Sequence, residues 1–279
     1  MLGHINDLSG VEQAFTLLDK PMDRFTDHAL WLTARETASS WLPLLETEEA
    51  TVSKDFKKLH FLLSAINDNR AVLPAFQYLE GNTTDSDQLQ ALAILIVDHG
   101  TVDDMQKLLL AVLGHEGGSA MTQAKGLDLL REASARRNMK NSNGTDLLLP
   151  LLESDSSRLR ESTLRLLGTW GAEDTRATIQ GIAENSEEKI SSRKAALDAL
   201  ASLGGEASGA VLNAMVLSDA DLSLRVHAVT TLASVNLDQG IAAGVTMLES
   251  MPETMDPTLL LSAIIQRDGG SQKLAEILK

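Results

Sequence analysis

Six histidines are the residues of this sequence whose side chains could bind a metal ion or transfer a proton near neutral pH. They are scattered along the chain, at His4, His28, His60, His99, His115 and His227. No His-x-His or His-Glu-x-x-His motif occurs, and no group of carboxylates stands at ligand spacing. His115 and Glu116 form a lone pair in a glycine-containing turn, which we interpret as a solvated loop. The pattern predicts no metal site.

Cysteine chemistry and nucleotide-binding chemistry also lack a signal. The absence of cysteine removes disulfides, thiolate nucleophiles, zinc-cysteine sites and covalent attachment of c-type haem. The sequence contains no Gly-x-Gly-x-x-Gly, phosphate-binding loop or Gly-x-Ser-x-Gly motif, so nucleotide binding and serine-hydrolase chemistry are not predicted. We therefore expect no catalytic residue, no cofactor and no metal in this chain.

His28 is a candidate partner-binding residue because Trp31 and Arg35 follow it at helical spacing. In one interpretation, His28 and Trp31 face a groove that binds a partner. In the other, which we favour, His28 packs at a helix interface, because a lone histidine on a helix has no catalytic partner.

Three arginines recur at intervals of 33 and 32 residues on equivalent helix faces, at Arg160, Arg193 and Arg225. They could form a basic ladder on a concave surface that binds an acidic partner. The alternative, which we favour, is that each pairs with a carboxylate of its own or the preceding repeat, such as Asp155, Glu187 or Asp219. A residue that recurs in a repeat protein usually serves the repeat itself.

A dense basic group ends another predicted helix. Its members are Arg131, Arg136, Arg137 and Lys140. Cations at this place meet the negative end of the helix dipole, so we interpret the group as a solvated helix end.

The elements that carry these residues repeat between residues 147 and 269. One apolar position returns at intervals of 33 residues, at Leu149, Ile182, Met215 and Leu248. In the last repeat Thr258 takes the arginine position. The residues four and seven places after each of these four positions are apolar, except Ser262, which places them on one helix face. Eleven residues after the same positions stand residue types that tolerate the left-handed conformation at helix ends, at Gly171, Gly204, Asn236 and Gly269. Each repeat therefore consists of two helices and two turns.

Two helices in a period of this length predict an α-solenoid, in which each hairpin buries its apolar face against its neighbours. An Asp or Ser precedes the second helix and an Arg lies near its start, as in SDSSRLRESTLRLLG and SDADLSLRVHAVTTLA. This pattern resembles the HEAT repeat. We predict an all-α fold, a right-handed α-solenoid of HEAT-like helical hairpins with an armadillo-like superhelix.

The polar stretch NMKNSNGT, at residues 138–145, predicts a joint in the chain. Residues 1–140 then form an irregular helical half of the solenoid, and residues 146–279 form regular HEAT-like repeats. The final SQKLAEILK resembles the first helix of a further repeat, so we expect the last repeat to be incomplete and the chain to derive from something longer. In the first half, Ser86 is the predicted N-cap of a helix.

Composition makes nucleic acids and membranes improbable partners. The chain of 279 residues has a formal net charge of −15, which repels phosphate backbones and anionic lipids. It has no run of 18 apolar residues, so we expect no membrane insertion. Its first residues contain no basic segment followed by an apolar run, so we expect no signal peptide. Aromatic residues are only 3%, which suits thin layers of helix pairs.

Residues 18–43, LDKPMDRFTDHALWLTARETASSWLP, carry a more specific resemblance together with FKKLHFLLSAIND and VLPAFQYLEGN. They resemble the HEAT-like middle region of multidomain haem-binding dehydrogenases of planctomycete and verrucomicrobial bacteria. The resemblance implies a parent protein with a β-propeller before this region and a cytochrome c module after it, and an exported or periplasmic location. This sequence contains neither module, so the resemblance implies haem c only in a longer parent.

The predicted function is a non-catalytic scaffold or interaction module that contacts a protein partner or neighbouring domains. The candidate partner-binding residues are Arg160, Arg193, Arg225, His28 and Trp31. The first alternative is a fragment of an oxidoreductase whose active centre lies in domains absent from this sequence. The second is a HEAT-like metal enzyme. The oligomeric state and the identity of the partner stay open.

Overall fold

The computed structural model describes residues 15–45, 54–82, 85–115, 118–141, 143–250 and 256–277. Every regular element within these ranges is a helix, which confirms the predicted all-α fold. Within the same ranges no helix combines the length and the apolar character needed to cross a membrane. Contacts divide the chain into two compact units, residues 1–122 and 123–279. The joint at residues 138–145 stays a prediction.

The first unit contains six labelled α-helices: α1 (Arg24–Glu36), α2 (Ala38–Trp41), α3 (Phe56–Ile66), α4 (Val72–Gly81), α5 (Ser86–His99) and α6 (Val102–Gly114). Leu30 and Ala34 on α1 are buried together with Ala38 and Trp41 on α2, because their spacing places them on one stripe. The indole Nε1 of Trp41 donates a hydrogen bond to the carbonyl of Ala34 at 2.8 Å, which fixes α2 against the end of α1.

Acidic side chains and a threonine cap four of the six helices of the first unit. The prediction that Ser86 is the N-cap of α5 is wrong by one residue, because Asp85 takes that place and Ser86 is the first helical residue. The carboxylate of Asp85 accepts hydrogen bonds from the backbone N–H groups of Asp87 and Gln88. The negative charge of an aspartate at this place also interacts favourably with the positive end of the helix dipole, whereas an uncharged serine has no such interaction.

The second unit contains the regular hairpins. Its helices are α7 (Ala120–Arg137, which begins just before the boundary), α8 (Thr145–Leu148), α9 (Ser157–Trp170), α10 (Arg176–Glu184), α11 (Ile190–Leu203), α12 (Gly205–Leu217), α13 (Leu222–Val235), α14 (Leu237–Ser250), α15 (Thr258–Ile265) and α16 (Gly270–Ile277). We call α9, α11, α13 and α15 the second helices and α10, α12 and α14 the first helices. Each second helix packs on the next, α9 on α11, α11 on α13 and α13 on α15.

The predicted apolar positions fill the core of this stack. Four residues after the arginine positions, Leu164, Leu197 and Val229 are fully buried, as the helical spacing predicts. The last repeat departs from the pattern, because Ile265, seven residues after the corresponding position, is 48% exposed. The burial pattern is therefore regular through α13 and shifts at α15, where Leu260 and Ile264 are the buried residues instead.

Helix ends follow the prediction at two of the four positions. Gly171 and Gly204 end α9 and α11 with φ angles of +75° and +73°, which side chains rarely adopt, although only Gly171 is in the left-handed helical conformation. Gly269 also has a positive φ, of +74°, but α15 ends earlier, at Ile265, and Gly269 directly precedes α16. The prediction for Asn236 is wrong, because this residue has a φ of −144° and is extended. Its side-chain carbonyl instead accepts a hydrogen bond from the backbone N–H of Gln239, near the start of α14.

Candidate functional site

Two of the three recurring arginines bind backbone carbonyls within their own hairpin. Arg193 is 8% exposed, and its Nε donates to the carbonyl of Ala183 in the last turn of α10 at 2.9 Å. Arg225 donates in the same way to Val216, in the last turn of α12, at 2.9 Å. The carbonyls at a helix end have no partner within the helix, so these guanidinium groups satisfy them. Arg193 is too deeply buried to belong to an exposed ladder.

Arg160 makes a different contact. Its guanidinium pairs with the carboxylate of Glu188, which precedes α11 and so belongs to the following repeat. Both side chains are half-buried. The partners of the three arginines therefore differ from the carboxylates that we suggested, because the fold turns the guanidinium groups inward. A binding role for Arg160 and Arg225 stays a prediction.

His28 and Trp31 lie on the surface of α1 in the first unit. Their rings stack with centroids 6.3 Å apart, and the guanidinium of Arg35 lies 5.3 Å from the centre of the indole. His28 is exposed, so our favoured interpretation that it packs at a helix interface is wrong. Phe25, one turn before His28, is 84% exposed. The binding role of His28 and Trp31 stays a prediction.

The dense basic group is not one patch. Arg131 pairs with the neighbouring Glu132, with Nη2 and Oε1 3.1 Å apart. Lys140 donates from Nζ to the carbonyl of Thr169 at 3.0 Å, so it binds the negative end of α9. The cations therefore serve different helices.

A polar groove runs along one face of the second unit, across α7 and the second helices. On each helix the lining residues recur at about one-turn intervals, so they share a face, and residues 266–268 follow the end of α15. The lining residues are Asp128, Arg131, Glu132, Arg158, Arg165, Thr169, Asp198, Ala201, Ser202, His227, Thr230, Thr231, Ser234, Val235, Gln266, Arg267 and Asp268. Asp198 and Ser202 belong to both halves of the lining, so the groove is continuous.

Ion pairs join successive helices across the groove. Arg158 on α9 pairs with Asp128 on α7. Arg165 on α9 donates from Nε to Oδ2 of Asp198 on α11 at 3.2 Å. The other carboxylate oxygen, Oδ1, lies 2.7 Å from Nε2 of His227 on α13. Two separate groups of polar contacts, Arg158 with Asp128 and Arg165 and His227 with Asp198, thus join the four helices in succession.

Charges in the groove are balanced. Four cations (Arg131, Arg158, Arg165, Arg267) face four carboxylates (Asp128, Glu132, Asp198, Asp268), whereas the whole chain has a formal net charge of −15. Burial alone raises the pKa of Asp198, but the hydrogen bonds and positive charges of His227 and Arg165 outweigh burial and hold that pKa below its ordinary value. Asp198 is therefore a carboxylate at neutral pH.

The hydroxyl groups of the groove do not form a catalytic pair with His227. Ser202 donates its hydroxyl proton to the carbonyl of Asp198, Thr230 donates to His227, and Ser234 donates to Thr231. Each of these bonds lies within one helix and uses the hydroxyl proton. The hydroxyl oxygens can therefore only accept hydrogen bonds from a bound ligand. Among the residues that the structure describes, no three histidines or carboxylates come together as metal ligands.

Our reading of the sequence missed the groove, although one signal for it was present. Arg165 and Asp198 are separated by 33 residues, the length of one repeat, and so occupy equivalent positions with opposite charges. Opposite charges one repeat apart lie on neighbouring stacked helices and therefore predict a contact between two repeats.

Comparison with known proteins agrees with this description of the second unit. Residues 145–250, fewer than half of the chain, match the sequence model of HEAT repeats. No curated protein matches the chain. The matched range begins at α8 and ends with α14, so it contains the stacked second helices α9, α11 and α13 but not α15. Together with that stacking, the match identifies this part of the chain as a HEAT-repeat solenoid.

Proposed function

We propose that this chain is an interaction scaffold that holds an extended segment of a partner protein in the polar groove. Stacked repeats present long binding surfaces because every repeat adds one strip to the same face. The observation that carries the proposal is the continuity of the groove across α7 and the second helices.

The chemistry of the groove suits a polypeptide backbone. Backbone N–H groups of a partner would donate to the free lone pairs of the Ser202, Thr230 and Ser234 hydroxyls. Arg158 and Arg165 each have guanidinium N–H groups that their ion pairs do not use. These N–H groups would donate hydrogen bonds to carbonyl or carboxylate oxygens of the partner. Because the positive and negative charges of the groove balance, the partner segment needs no strong net charge. The match between its polar groups and those of the groove sets the position at which the segment binds along the groove.

The scaffold acts without catalysis in this proposal. Support comes from the lining itself, in which the hydroxyls bind backbone carbonyls and the carboxylates bind arginines. Metal analysis of the purified chain tests this part of the proposal. Stoichiometric iron or zinc would contradict it and favour a metal enzyme.

A steric block tests the binding role of the groove. Ser202→Trp places an indole on an exposed floor position, whereas Ala207→Trp places the same group on an exposed position of α12 outside the groove lining. We expect Ser202→Trp to reduce capture of partner proteins from an extract of the source organism by about 10-fold, which corresponds to about 1.4 kcal/mol. The Ala207→Trp variant should capture the same amount of partner proteins as the unmodified chain. Equal capture by both variants would contradict the proposal.

A second proposal gives the scaffold a place in a larger protein. Residues 18–43 resemble the middle region of multidomain haem-binding dehydrogenases, and this resemblance supports a role as a spacer between a propeller and a cytochrome c module. The DNA that flanks the reading frame tests it. A Cys-x-x-Cys-His motif encoded downstream or a propeller encoded upstream would support the spacer, and neighbouring stop and start signals without either would contradict it.

A further inference from the structure

A pocket of about 580 Å³ lies in the first unit, between the C-terminal parts of α4 and α6. Its volume is in the range of pockets that bind small molecules. The lining residues of each helix recur at one-turn intervals and so share a face. They are Phe76, Leu79 and Glu80 on α4 and Lys107, Leu110 and Ala111 on α6.

The interior of the pocket is largely apolar. Leu89 on α5 and Phe76 on α4 are buried, and both belong to the lining. Leu110 lines the same pocket and is 51% exposed, so it leaves apolar surface in contact with water. Covering this surface is favourable, so a ligand that fills the pocket needs an apolar body.

The carbonyl ends of two helices line this pocket. Gly81 and Asn82 line it where α4 ends, and Gly114 and His115 line it where α6 ends. The C-terminal end of a helix carries about half a negative charge, on carbonyls that have no partner within the helix. Asn82 satisfies one of them, because its Nδ2 donates to the carbonyl of Tyr78 at 3.0 Å. The field of the two helix ends therefore favours a cation.

The charged side chains of the lining have the same preference. Lys107 already has a partner, because its Nζ lies 3.8 Å from Oδ1 of Asp104, outside the pocket lining. Glu80 has neither an ion pair nor a hydrogen bond within the part of the chain that the structure describes. The unmatched charge at the pocket is therefore negative.

An ammonium group already lies near the aromatic ring of the pocket. Nζ of Lys107 is 6.0 Å from the ring centroid of Phe76, at the limit of the distance at which a ring attracts a cation. The side chain of Lys107 is 66% exposed, so its ammonium can turn into solvent. A cation of a ligand can then take its place over the ring.

We propose that this pocket binds a small amphiphilic cation, a primary amine or guanidinium carried on an apolar body. The body packs against Phe76, Leu89 and Leu110. The cation lies between Glu80 and the carbonyl ends of α4 and α6. A free amine and a basic side chain of a polypeptide share this chemistry. The site belongs to the first unit and is independent of the binding role proposed for the groove.

Two probes with the same body and opposite charges test the site on the full chain at physiological salt. Phenylpropylammonium carries a cation, and phenylpropanoate carries an anion. Backbone amide chemical shifts report where and how tightly each binds. We expect the ammonium probe to shift residues 76–82 and 107–115 and to bind about 5-fold more tightly than the carboxylate probe. Tighter binding of the carboxylate, or shifts confined to other residues, would overturn the site.

Two variants locate the binding. Glu80→Gln removes the carboxylate at an exposed position, so it should weaken the ammonium probe about 2- to 5-fold without weakening the carboxylate probe. Ala111→Phe adds a ring to the pocket wall and should prevent binding of both probes. Ala29→Phe, at an exposed position of α1, is its matched control and should bind both probes as the unmodified chain does.

The exposed substitution decides the result even if Ala111→Phe does not fold. Ammonium binding that is unchanged in Glu80→Gln would show a general attraction to an acidic protein and would overturn the site. Displacement of the ammonium probe by the peptide acetyl-Leu-Lys-Leu-amide would assign the cation to a polypeptide, and failure to displace it would assign the cation to a free amine. Ser202→Trp should leave these shifts unchanged, so the pocket and the groove are tested separately.

Discussion

Gly168 shows how closely two repeats approach each other. A Cβ atom added at this position of α9 would lie 2.6 Å from the Cα and the carbonyl oxygen of Ala199 on α11. Both contacts are with backbone atoms, which cannot turn aside as a flexible side chain can. The stacking of α9 on α11 therefore depends on a residue without a side chain.

Replacement of Gly168 by alanine should destabilise the second unit. We expect Gly168→Ala to lower the free energy of unfolding by about 2 kcal/mol, because the added methyl group forces the helices apart. Gly181→Ala is the matched control, since a Cβ at this exposed position of α10 meets nothing within 4 Å. It should raise stability by about 0.5 to 1 kcal/mol through helix propensity. Urea denaturation measures both variants, and equal effects would contradict the packing argument.

His60 should make the first unit sensitive to mild acid. Burial lowers the pKa of His60, whose ring stacks on Phe56 with centroids 5.6 Å apart. The unfolded chain therefore binds a proton more readily than the folded chain, so stability falls as the pH decreases below the ordinary histidine value of about 6.5.

Replacement of His60 tests this pH dependence. In His60→Leu, the loss of stability between pH 7 and pH 5 should be smaller than in the unmodified chain. Thermal unfolding at the two pH values measures the difference. An unchanged dependence would show that His60 gains its proton in the folded state as easily as in the unfolded one.

Helix starts in the first unit rely on side chains that accept backbone hydrogen bonds. Thr101 and Asp104 form a reciprocal capping box at α6, in which each side chain accepts from the backbone N–H group of the other. At α5 the same task belongs to Asp85 alone, which accepts two such bonds. These two helices therefore begin one residue after a side chain that accepts backbone hydrogen bonds, whereas α2 and α4 begin without such a cap.

Neighbouring substitutions at α5 separate the true cap from the predicted one. Asp85→Ala should cost about 1 kcal/mol, because it leaves two N–H groups unsatisfied and removes a charge from the positive helix end. Ser86→Ala should change stability by less than about 0.5 kcal/mol. Thermal unfolding monitored by circular dichroism compares them, and a larger effect at Ser86 would restore the original assignment.

The order of helices was predictable from the sequence because helical spacing and turn residues are local signals. The apolar positions and the glycine ends of α9 and α11 follow directly from the period. Apart from the Arg165–Asp198 pair, the destinations of polar side chains were not predictable, since they depend on how the helices pack. Arg193 turns inward to a carbonyl of its own hairpin, and Asp198 gains a histidine partner 29 residues further along the chain. The prediction for Asn236 is wrong for a related reason, because its side chain accepts a hydrogen bond near the start of the next helix.

Interdependence of the repeats is a property of the whole second unit. No hairpin buries its apolar face by itself, because α11 contacts α9 on one side and α13 on the other. A peptide of residues 176–203, which contains α10 and α11 alone, should therefore be largely unfolded in water. Far-ultraviolet circular dichroism checks this expectation. If the isolated peptide is helical and unfolds cooperatively, the repeats do not depend on one another, and this prediction is wrong.

The alternation of sign between Arg165 and Asp198 restricts how this array can evolve. Copying the repeat that carries Arg165 would insert a second arginine opposite the first, and copying the repeat that carries Asp198 would set two carboxylates side by side. Either duplication keeps one attraction and adds a repulsion between like charges. These two repeats are therefore not interchangeable modules, and copying either of them is favourable only if the inserted copy also changes at the groove.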